Sequence, residues 1–180
     1  GPIAIATTRP ETIFADVAIA VNPKDKKYQN HIGKTATIPL LNKEIPIIAD
    51  ELVDVKFGTG ALKITPGHDP LDFAIGTDHK LPILHSIDKL GKMTDLAGEL
   101  AGLKITEARG KVAEILEQNG AIEKVEEYTH SVPVCERCKT TVEPLISEEW
   151  FIKMKPLAEK ALKNLDKINS LPENYNKILG

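Results

Sequence analysis

Short segments in which apolar and polar residues alternate, separated by turn-forming residues, run through most of this 180-residue chain. Such alternation is typical of half-buried β-strands, and proline and glycine mark the breaks between them. Residues 35–41 and 44–49 are separated by Asn42-Lys43 and predict a hairpin. The other predicted strands cover residues 3–8, 16–21, 61–65, 82–87 and 121–132, and residues 142–154 are predicted to be extended.

Helical periodicity is clearest over residues 106–119, where Ala108, Val112 and Leu116 share one face and Gly120 follows the end. Shorter helices are predicted over residues 24–29, 69–80 and 156–165. Strands and helices do not alternate regularly, which favours an α+β fold over a doubly wound one. We therefore expect a compact mixed domain with a β-barrel-like antiparallel core and three to four peripheral helices.

Composition narrows the classes of partner. The chain has 26 acidic and 23 basic residues, a net charge of −3 and a pI near 6.0, so it is not a polybasic nucleic-acid binder. One Trp, three Tyr and four Phe are too few for a platform that stacks several bases. No apolar run approaches the roughly 20 residues that a membrane span needs.

Residues 1–2 are expected to be the remnant of a cleaved tag, and the remainder to be a piece of a larger protein. Cys135 and Cys138 form a C-x-x-C pair, which without a secretion signal indicates a reducing compartment. Two thiolates are half of a tetrahedral zinc site, so the pair is either a reduced turn or a half-site completed elsewhere. His130 is a weaker candidate for a third ligand.

Two segments carry candidate chemistry. Asp69 and Asp72 lie three residues apart at a predicted helix start, where they either cap the helix or form a carboxylate pair that binds an ammonium group. Residues 7–12 place three hydroxyls around Arg9 and Glu11, as a strand end with a surface ion pair or as part of a pocket. The five scattered histidines are each more typical of surface or turn positions than of catalysis, and no hydrolase triad motif is present.

Three segments together resemble the inserted editing domain, connective polypeptide 1, of valyl-tRNA synthetases. They are TTRPET at residues 7–12, FGTGALKITPGHDPLDF at residues 57–73, and a third segment in which THS at residues 129–131 leads into CERC at residues 135–138, Glu143-Pro144, Ser147 and Trp150-Phe151. The resemblance extends in order along nearly the whole chain. Leucyl enzymes resemble the first two segments but typically carry Asp where Glu11 stands, and isoleucyl enzymes typically replace the Arg9 region.

The resemblance implies a proofreading hydrolase domain of a class I aminoacyl-tRNA synthetase that removes threonine mischarged onto valine tRNA. Residues 3–132 would be the editing domain, and residues 133–180 a cysteine knuckle, strand and helix leading back toward the catalytic domain. The implied catalytic residues are Asp72, which would hold the substrate ammonium, with Lys63 and Thr65. The implied substrate-binding residues are Thr8, Arg9, Glu11, Thr12, Phe57 and Asp69, with Phe57 packing on the terminal adenine.

The resemblance also implies partners. These are the 3′ terminal adenosine of a tRNA with its amino acid, threonyl-adenylate as a second candidate, and the rest of the synthetase, which would use ATP in the cytoplasm. No cofactor or membrane is expected for editing, although Cys135 and Cys138 could hold zinc in the full-length enzyme. Alternatives are a catalytically silent tRNA-binding or structural module, a leucyl or isoleucyl editing domain, and a small zinc protein. Arg109 is expected on a helix surface and Arg137 in the cysteine knuckle.

Overall fold

The computed structural model describes residues 1–164 and residue 167. The described residues divide into two units, of which the first is Gly1–Ile146 and the second begins at Ser147. The strands of the first unit are β1 (Ala18–Val21), β2 (Thr35–Ile38), β3 (Lys43–Ala49) and β4 (Ala61–Ile64). Its α-helices are α1 (Pro70–Asp78) and α2 (Ile105–Gln118), and its 3₁₀ helices are Pro10–Ala15, Gln29–His31 and Asp95–Leu100. The second unit contains α3 (Met154–Leu162).

The four strands form one sheet in the order β2-β3-β1-β4. Strand β1 runs parallel to β3 and antiparallel to β4, while β2 and β3 form an antiparallel hairpin. All four residues of β1 are buried, as expected of a central strand that is covered on both faces. The α+β class is confirmed, but the core is an open mixed sheet and not a barrel-like antiparallel one, because the hairpin joins β1 through a parallel pairing.

Alternation along β1 distributes its side chains between two apolar clusters. Ile19 and Val21 pack with residues of β2 and β3, whereas Ala18 and Ala20 pack with Ile64 and with α1. A third cluster joins α2 to the 3₁₀ helix Pro10–Ala15; its buried members are Phe14, Ile87, Met93, Ala97, Leu100, Ala108, Val112 and Leu116. The sheet and α1 therefore fix the junction between β4 and α1, and α2 fixes the segment that precedes β1.

Most of the predicted elements are confirmed, including the hairpin, the strands at residues 16–21 and 61–65 and the helices now seen as α1, α2 and α3. Residue 165, at the end of the last predicted helix, lies outside the described residues, as do residues 166 and 168–180. Among the described residues, no α-helix is both long and apolar enough to cross a membrane.

Four predictions of local structure are wrong. Residues 3–8 do not join the sheet, and residues 24–29 form turns, with a 3₁₀ helix beginning only at Gln29. Residues 82–87 start at a proline, which lacks a donor for a strand ladder, and contribute only a single bridge from Ile87 to Met93. Residues 121–132 form no strand because their many exposed polar side chains leave no apolar face to bury.

Two helical glycines give opposite predictions for the same substitution. A Cβ at Gly76 in α1 would lie 2.7 Å from Cγ of the buried Pro66 ring, whereas a Cβ at Gly110 in α2 would meet no atom within 4 Å. We expect Gly110→Ala to raise the free energy of unfolding by about 0.5–1 kcal/mol, because alanine restricts the unfolded chain. Gly76→Ala should lower it by about 1–3 kcal/mol through overpacking. Urea unfolding measures both, and stabilisation of equal size would contradict the packing described at Pro66.

Candidate functional site

The candidate site lies where β4 ends and α1 begins. Lys63 and Thr65 share one face of the extended chain because Ile64, between them, points into the opposite apolar cluster. The amide of His68 then donates to the carbonyl of Thr65 at 3.0 Å and closes a turn. This turn delivers the chain to Asp69, which lies immediately before α1. The strand and the helix therefore present their polar residues at one junction.

The two aspartates of this junction, Asp69 and Asp72, accept hydrogen bonds from different elements. Asp69 is the N-cap of α1, and its carboxylate accepts from the amides of Leu71 at 2.8 Å and Asp72 at 3.1 Å. Asp72 points back to the strand, where its Oδ2 accepts from the Thr65 amide at 2.8 Å. The capping interpretation is therefore confirmed for Asp69, whereas Asp72 links the helix to the end of β4.

Asp72 is a buried carboxyl group, with 5% of its surface exposed. Burial raises its pKa from the ordinary 3.8 to about 6, and the hydrogen bond from the Thr65 amide opposes this only in part. Because the pKa is higher in the folded chain, ionisation of Asp72 costs stability as pH rises from about 4 to about 6, and the cost persists above pH 6. A cation bound at Asp72 would offset this cost.

Lys63 holds a polar network beside Asp72. Its ammonium donates to Oγ1 of Thr12 at 2.8 Å, Oγ1 of Thr65 at 2.5 Å and Oδ1 of Asp16 at 3.1 Å. The Thr65 hydroxyl donates in turn to Asp16 at 2.5 Å, and the Thr12 hydroxyl donates to the carbonyl of Arg9 at 3.0 Å. All three donors of the ammonium are therefore engaged by the protein itself.

Asp16 belongs to this network, and the sequence prediction missed it by treating it as an ordinary strand residue. The residue is 5% exposed, and burial raises its pKa while the Lys63 ammonium opposes the rise. An acidic residue between Ala15 and Val17, at the start of an apolar strand, was the available signal, since a buried charge needs a partner.

Glu11 and Arg109 form a second ion pair, in which the carboxylate is buried and the guanidinium is half-exposed. Glu11 is completely buried, and the Arg109 guanidinium donates to its two oxygens at 3.0 Å and 2.8 Å. The hydrogen bonds to Glu11 raise the pKa of Arg109. Arg109 lies on the surface of α2 as expected, with 42% of its side chain exposed, but its guanidinium also joins α2 to the 3₁₀ helix that carries Glu11, which the sequence did not predict. The carboxylate of Glu11, predicted to bind substrate, is engaged by this partner.

Arg9 lies across the turn that precedes α1. Its guanidinium donates to the carbonyl of His68 at 2.9 Å and forms an ion pair with Glu143. His68 lies in a turn, as expected for the histidines, but it is buried and its Nε2 accepts from the Ser86 amide at 2.9 Å. Burial lowers the pKa of His68 to about 4, so the ring is neutral at pH 7. Glu143 and His68 stand among the residues that carry the family resemblance, but the sequence predicted no role in the site for either of them.

Most of the remaining predicted residues lie in exposed positions, and Cys135 is partly buried. The Phe57 ring is 62% exposed in the loop before β4, and Thr8 is exposed in the segment before the first 3₁₀ helix. Cys138 is exposed, and hydrogen bonding with the Thr140 hydroxyl lowers its thiol pKa to about 7. Within residues 1–164 and residue 167, no group of three or more His, Cys, Asp or Glu side chains is placed to hold a metal ion.

Comparison with known proteins defines the family. Residues 22–130 match the family model described as leucyl-tRNA synthetase, editing domain. The valine–tRNA ligase of Synechocystis is 49% identical over 99% of this chain, and that of Solibacter usitatus is 51% identical over 97%. The valine–tRNA ligase of Thermotoga maritima is 46% identical over 98% of the chain. The chain spans about a fifth of the length of these relatives.

A crystal structure described as GlLeuRS-CP1 is 15% identical, with a TM-score of 0.49 over 64% of this chain and 79% of its own. The family match covers β2 to β4, both α-helices of the first unit and the junction that carries Lys63, Thr65 and Asp72. The fold is that of an aminoacyl-tRNA synthetase editing domain. The chain belongs to this family, as an editing domain of a class I aminoacyl-tRNA synthetase. Along nearly its whole length it is similar to valine–tRNA ligases.

The ion pair between Glu11 and Arg109 predicts a large loss of stability on truncation. Arg109→Ala would leave the Glu11 carboxylate buried and deprived of its bidentate partner, so we expect the free energy of unfolding to fall by about 2–3 kcal/mol. Lys111→Ala, on the exposed side of the same helix, is the matched control and should change it by less than about 0.5 kcal/mol. Urea unfolding at pH 7 measures both variants, and equal effects would contradict the structural role assigned to Arg109.

Proposed function

We propose that this domain hydrolyses the ester between threonine and the 3′ terminal adenosine of valine tRNA. The observation that carries the proposal is Asp72, a buried carboxylate whose structural partner is a backbone amide and whose ionisation is costly in the absence of a cation. A substrate α-ammonium group supplies that cation. The editing-domain family and the valine–tRNA ligase relatives support the same reaction class.

The chemical need for such a site follows from the shapes of the two amino acids. Threonine differs from valine by a hydroxyl in place of a methyl group, and a hydrophobic synthetic pocket cannot strongly reject such an isostere; valine-specific synthetases are the standard example. A second site that binds the hydroxyl through polar groups favours threonine over valine. Valine would leave those groups unpaired in a desolvated environment, which costs binding energy.

The reaction consists of attack by a water oxygen on the ester carbonyl carbon. The bond from that carbon to the ribose oxygen then breaks, and the water proton passes to the ribose oxygen, giving free threonine and deacylated tRNA. Lys63 and Asp16 are engaged with each other, so we assign the acceleration to orientation of substrate and water and not to a strong general base. Asp72 anchors the ammonium group, while Lys63 and Thr65 supply the polar wall beside it.

The terminal nucleotide would lie on the side of Arg9 and Phe57. The Arg9 guanidinium holds the Glu143 carboxylate, and the phosphate or ribose oxygens of a bound nucleotide would exchange with that carboxylate. The exposed Phe57 ring is available to stack on adenine. In this proposal Asp69 and Glu11 act indirectly, by capping α1 and by joining α2 to the 3₁₀ helix, and Thr12 supports Lys63.

The proposal requires no cofactor for hydrolysis. A zinc ion held by Cys135 and Cys138 would need two more ligands from elsewhere, because structural zinc sites close with about four. Threonyl-adenylate carries the same α-ammonium and side chain and is a second candidate substrate. The setting proposed for the reaction is the cytoplasm, within the polypeptide of the complete synthetase.

The test compares the rates at which the domain hydrolyses Thr-tRNA and Val-tRNA made on the same valine tRNA. The readout is release of the labelled amino acid. We expect the wild-type domain to release threonine faster than valine. Asp72→Asn retains an acceptor for the Thr65 amide but removes the charge, so it should slow threonine release by roughly 100-fold or more. Asp78→Asn, an exposed carboxylate at the other end of α1, is the matched control and should leave the rate unchanged.

Failure of the wild-type domain to hydrolyse either ester would favour the silent tRNA-binding module. Faster release of leucine or isoleucine analogues than of threonine would favour a leucyl-type or isoleucyl-type specificity. Unchanged threonine release by Asp72→Asn would remove Asp72 from the site even if the reaction itself were observed. Circular dichroism of each variant separates a loss of activity from a loss of fold.

A further inference from the structure

The exposed Phe57 ring is carried by a four-residue turn, residues 57–60, which we call the Phe57 turn. The amide of Gly60 donates to the carbonyl of Phe57 at 3.0 Å and closes the turn. Gly58 lies at its second position with a φ of +56°, a backbone conformation that favours glycine. The turn leads directly into β4, which begins at Ala61. The ring is therefore attached to hydrogen-bonded backbone, although Phe57 is 62% exposed.

The hydroxyl of Tyr28 holds the Phe57 turn from the interior of the first unit. Tyr28 is 3% exposed, and its hydroxyl donates to the carbonyl of Thr59 at 2.9 Å. The Tyr28 ring packs in the apolar cluster formed by residues of β1, β2 and β3, so the hydroxyl has a fixed position. A buried tyrosine normally finds a hydrogen-bond partner for its hydroxyl. Here that partner belongs to the residue two positions after Phe57.

The carbonyl of Thr59 also accepts from a second donor. The ammonium of Lys27 donates to it at 3.3 Å and lies 4.7 Å from the centre of the Tyr28 ring. Lys27 is exposed, so water competes for its hydrogen bond, whereas the buried Tyr28 has no such competitor. A Cβ at Gly60 would lie 3.0 Å from Oδ2 of Asp25 and 3.6 Å from the Tyr28 ring. The segment that carries Tyr28 is therefore in close contact with the turn.

The chain before Phe57 is held as well. Asn22, directly after β1, donates through its side-chain amide to the carbonyl of Val53 at 2.8 Å. The Phe57 amide donates to the carbonyl of Asp54 at 3.1 Å. The backbone is thus fixed on both sides of the exposed ring, by Asn22 before it and by Tyr28 after it. An exposed loop that serves only as a connection does not require hydrogen bonds from two buried side chains.

We propose that Tyr28 is a positioning residue for the terminal adenosine, which holds the Thr59 carbonyl so that the Phe57 ring is presented to the adenine. This inference rests on the proposed function, which assigns the adenine to Phe57. Tyr28 acts through Thr59 and Phe57 and, being buried, does not touch the substrate. A ring that is already fixed avoids the entropy cost of ordering the turn when the adenosine binds.

This role has a kinetic signature. The adenine takes no part in the reaction, so stacking on Phe57 is the same in the bound ester and in the transition state. Removal of such uniform binding raises KM and leaves kcat unchanged. A residue that only stabilised the fold would instead reduce the fraction of folded domain, which lowers the apparent kcat at an unchanged KM.

The experiment is a double-mutant cycle on Tyr28 and Phe57, with steady-state hydrolysis of Thr-tRNA as the readout. Tyr28→Phe keeps the buried ring and removes only the hydroxyl. We expect it to raise KM about 3–10-fold with kcat within about twofold of wild type. In a Phe57→Ala background the same substitution should change KM by less than about twofold, because the ring that it positions is already absent.

Tyr128→Phe is the matched control, since Tyr128 is 60% exposed, and it should leave KM and kcat unchanged. Equal increases in KM for Tyr28→Phe in the wild-type and Phe57→Ala backgrounds would overturn the inference, as would a fall in kcat at an unchanged KM. A wild-type domain that does not hydrolyse Thr-tRNA would overturn the proposed function and this inference together. An active wild type with an indifferent Tyr28→Phe variant overturns the inference alone.

A second pair of variants tests the turn without changing the core, in case Tyr28→Phe does not fold. A Cβ at Gly58 would combine a positive φ with a 3.1 Å approach to Cβ of Ala6, whereas Gly33 has a positive φ of 80° and no atom within 4 Å of such a Cβ. We expect Gly58→Ala to raise KM about 3–10-fold and Gly33→Ala to leave it unchanged. An unchanged KM for Gly58→Ala would overturn the inference, because the position of the turn would then not matter for binding.

Discussion

The ammonium group of Lys63 ties together three parts of the chain that are distant in sequence. It donates to Thr12 in the first 3₁₀ helix, to Asp16 just before β1 and to Thr65 just after β4. Each of these elements is also fixed by apolar packing, since the 3₁₀ helix contacts α2 and β4 lies against α1. The positions of the hydrogen-bonded side chains are therefore set by this apolar packing, and the network of Lys63 does not have to stabilise the fold by itself. Its geometry follows from the register that places Lys63 opposite Ile19 in the sheet.

The desolvation of three buried carboxylates is compensated in three different ways. Glu11 receives the two-pronged guanidinium of Arg109, and Asp16 receives an ammonium and a hydroxyl. Asp72 accepts from the Thr65 amide, and its pKa rises to about 6. The carboxylate that is least compensated within the described part of the chain is thus the one at the end of the strand and the start of the helix. Incomplete compensation is what a cation-binding site in its free state requires.

Local periodicity was sufficient to predict the hairpin, β4 and all three α-helices, because each has a clear apolar face or turn residues at its ends. The prediction failed at residues 121–132, where apolar and polar residues alternate but no neighbouring strand pairs with the segment. Periodicity also could not predict the parallel pairing of β1 with β3. That pairing depends on contacts between distant segments. The capping preference of Asp69 was visible in the residues around it, whereas the partnership of Glu11 with Arg109 was not, since 98 positions separate them.

Resemblance to a family supplied the candidate residues, and their contacts divide these residues into groups with different tasks. Asp69 and Glu11 hold elements in place, Lys63 and Thr65 form a closed network with Asp16, and Asp72 accepts from a backbone amide. The central claim is that Asp72 receives the substrate ammonium.

Carbon-detected NMR titration of the Asp72 carboxyl tests this claim directly, first in the free domain and then with a non-hydrolysable amide analogue of threonyl-adenosine. A pKa near 6 in the free domain that falls when the analogue binds is the result expected, because a bound cation favours the ionised carboxylate. An Asp72 pKa that is unchanged or raised by the bound analogue would contradict it.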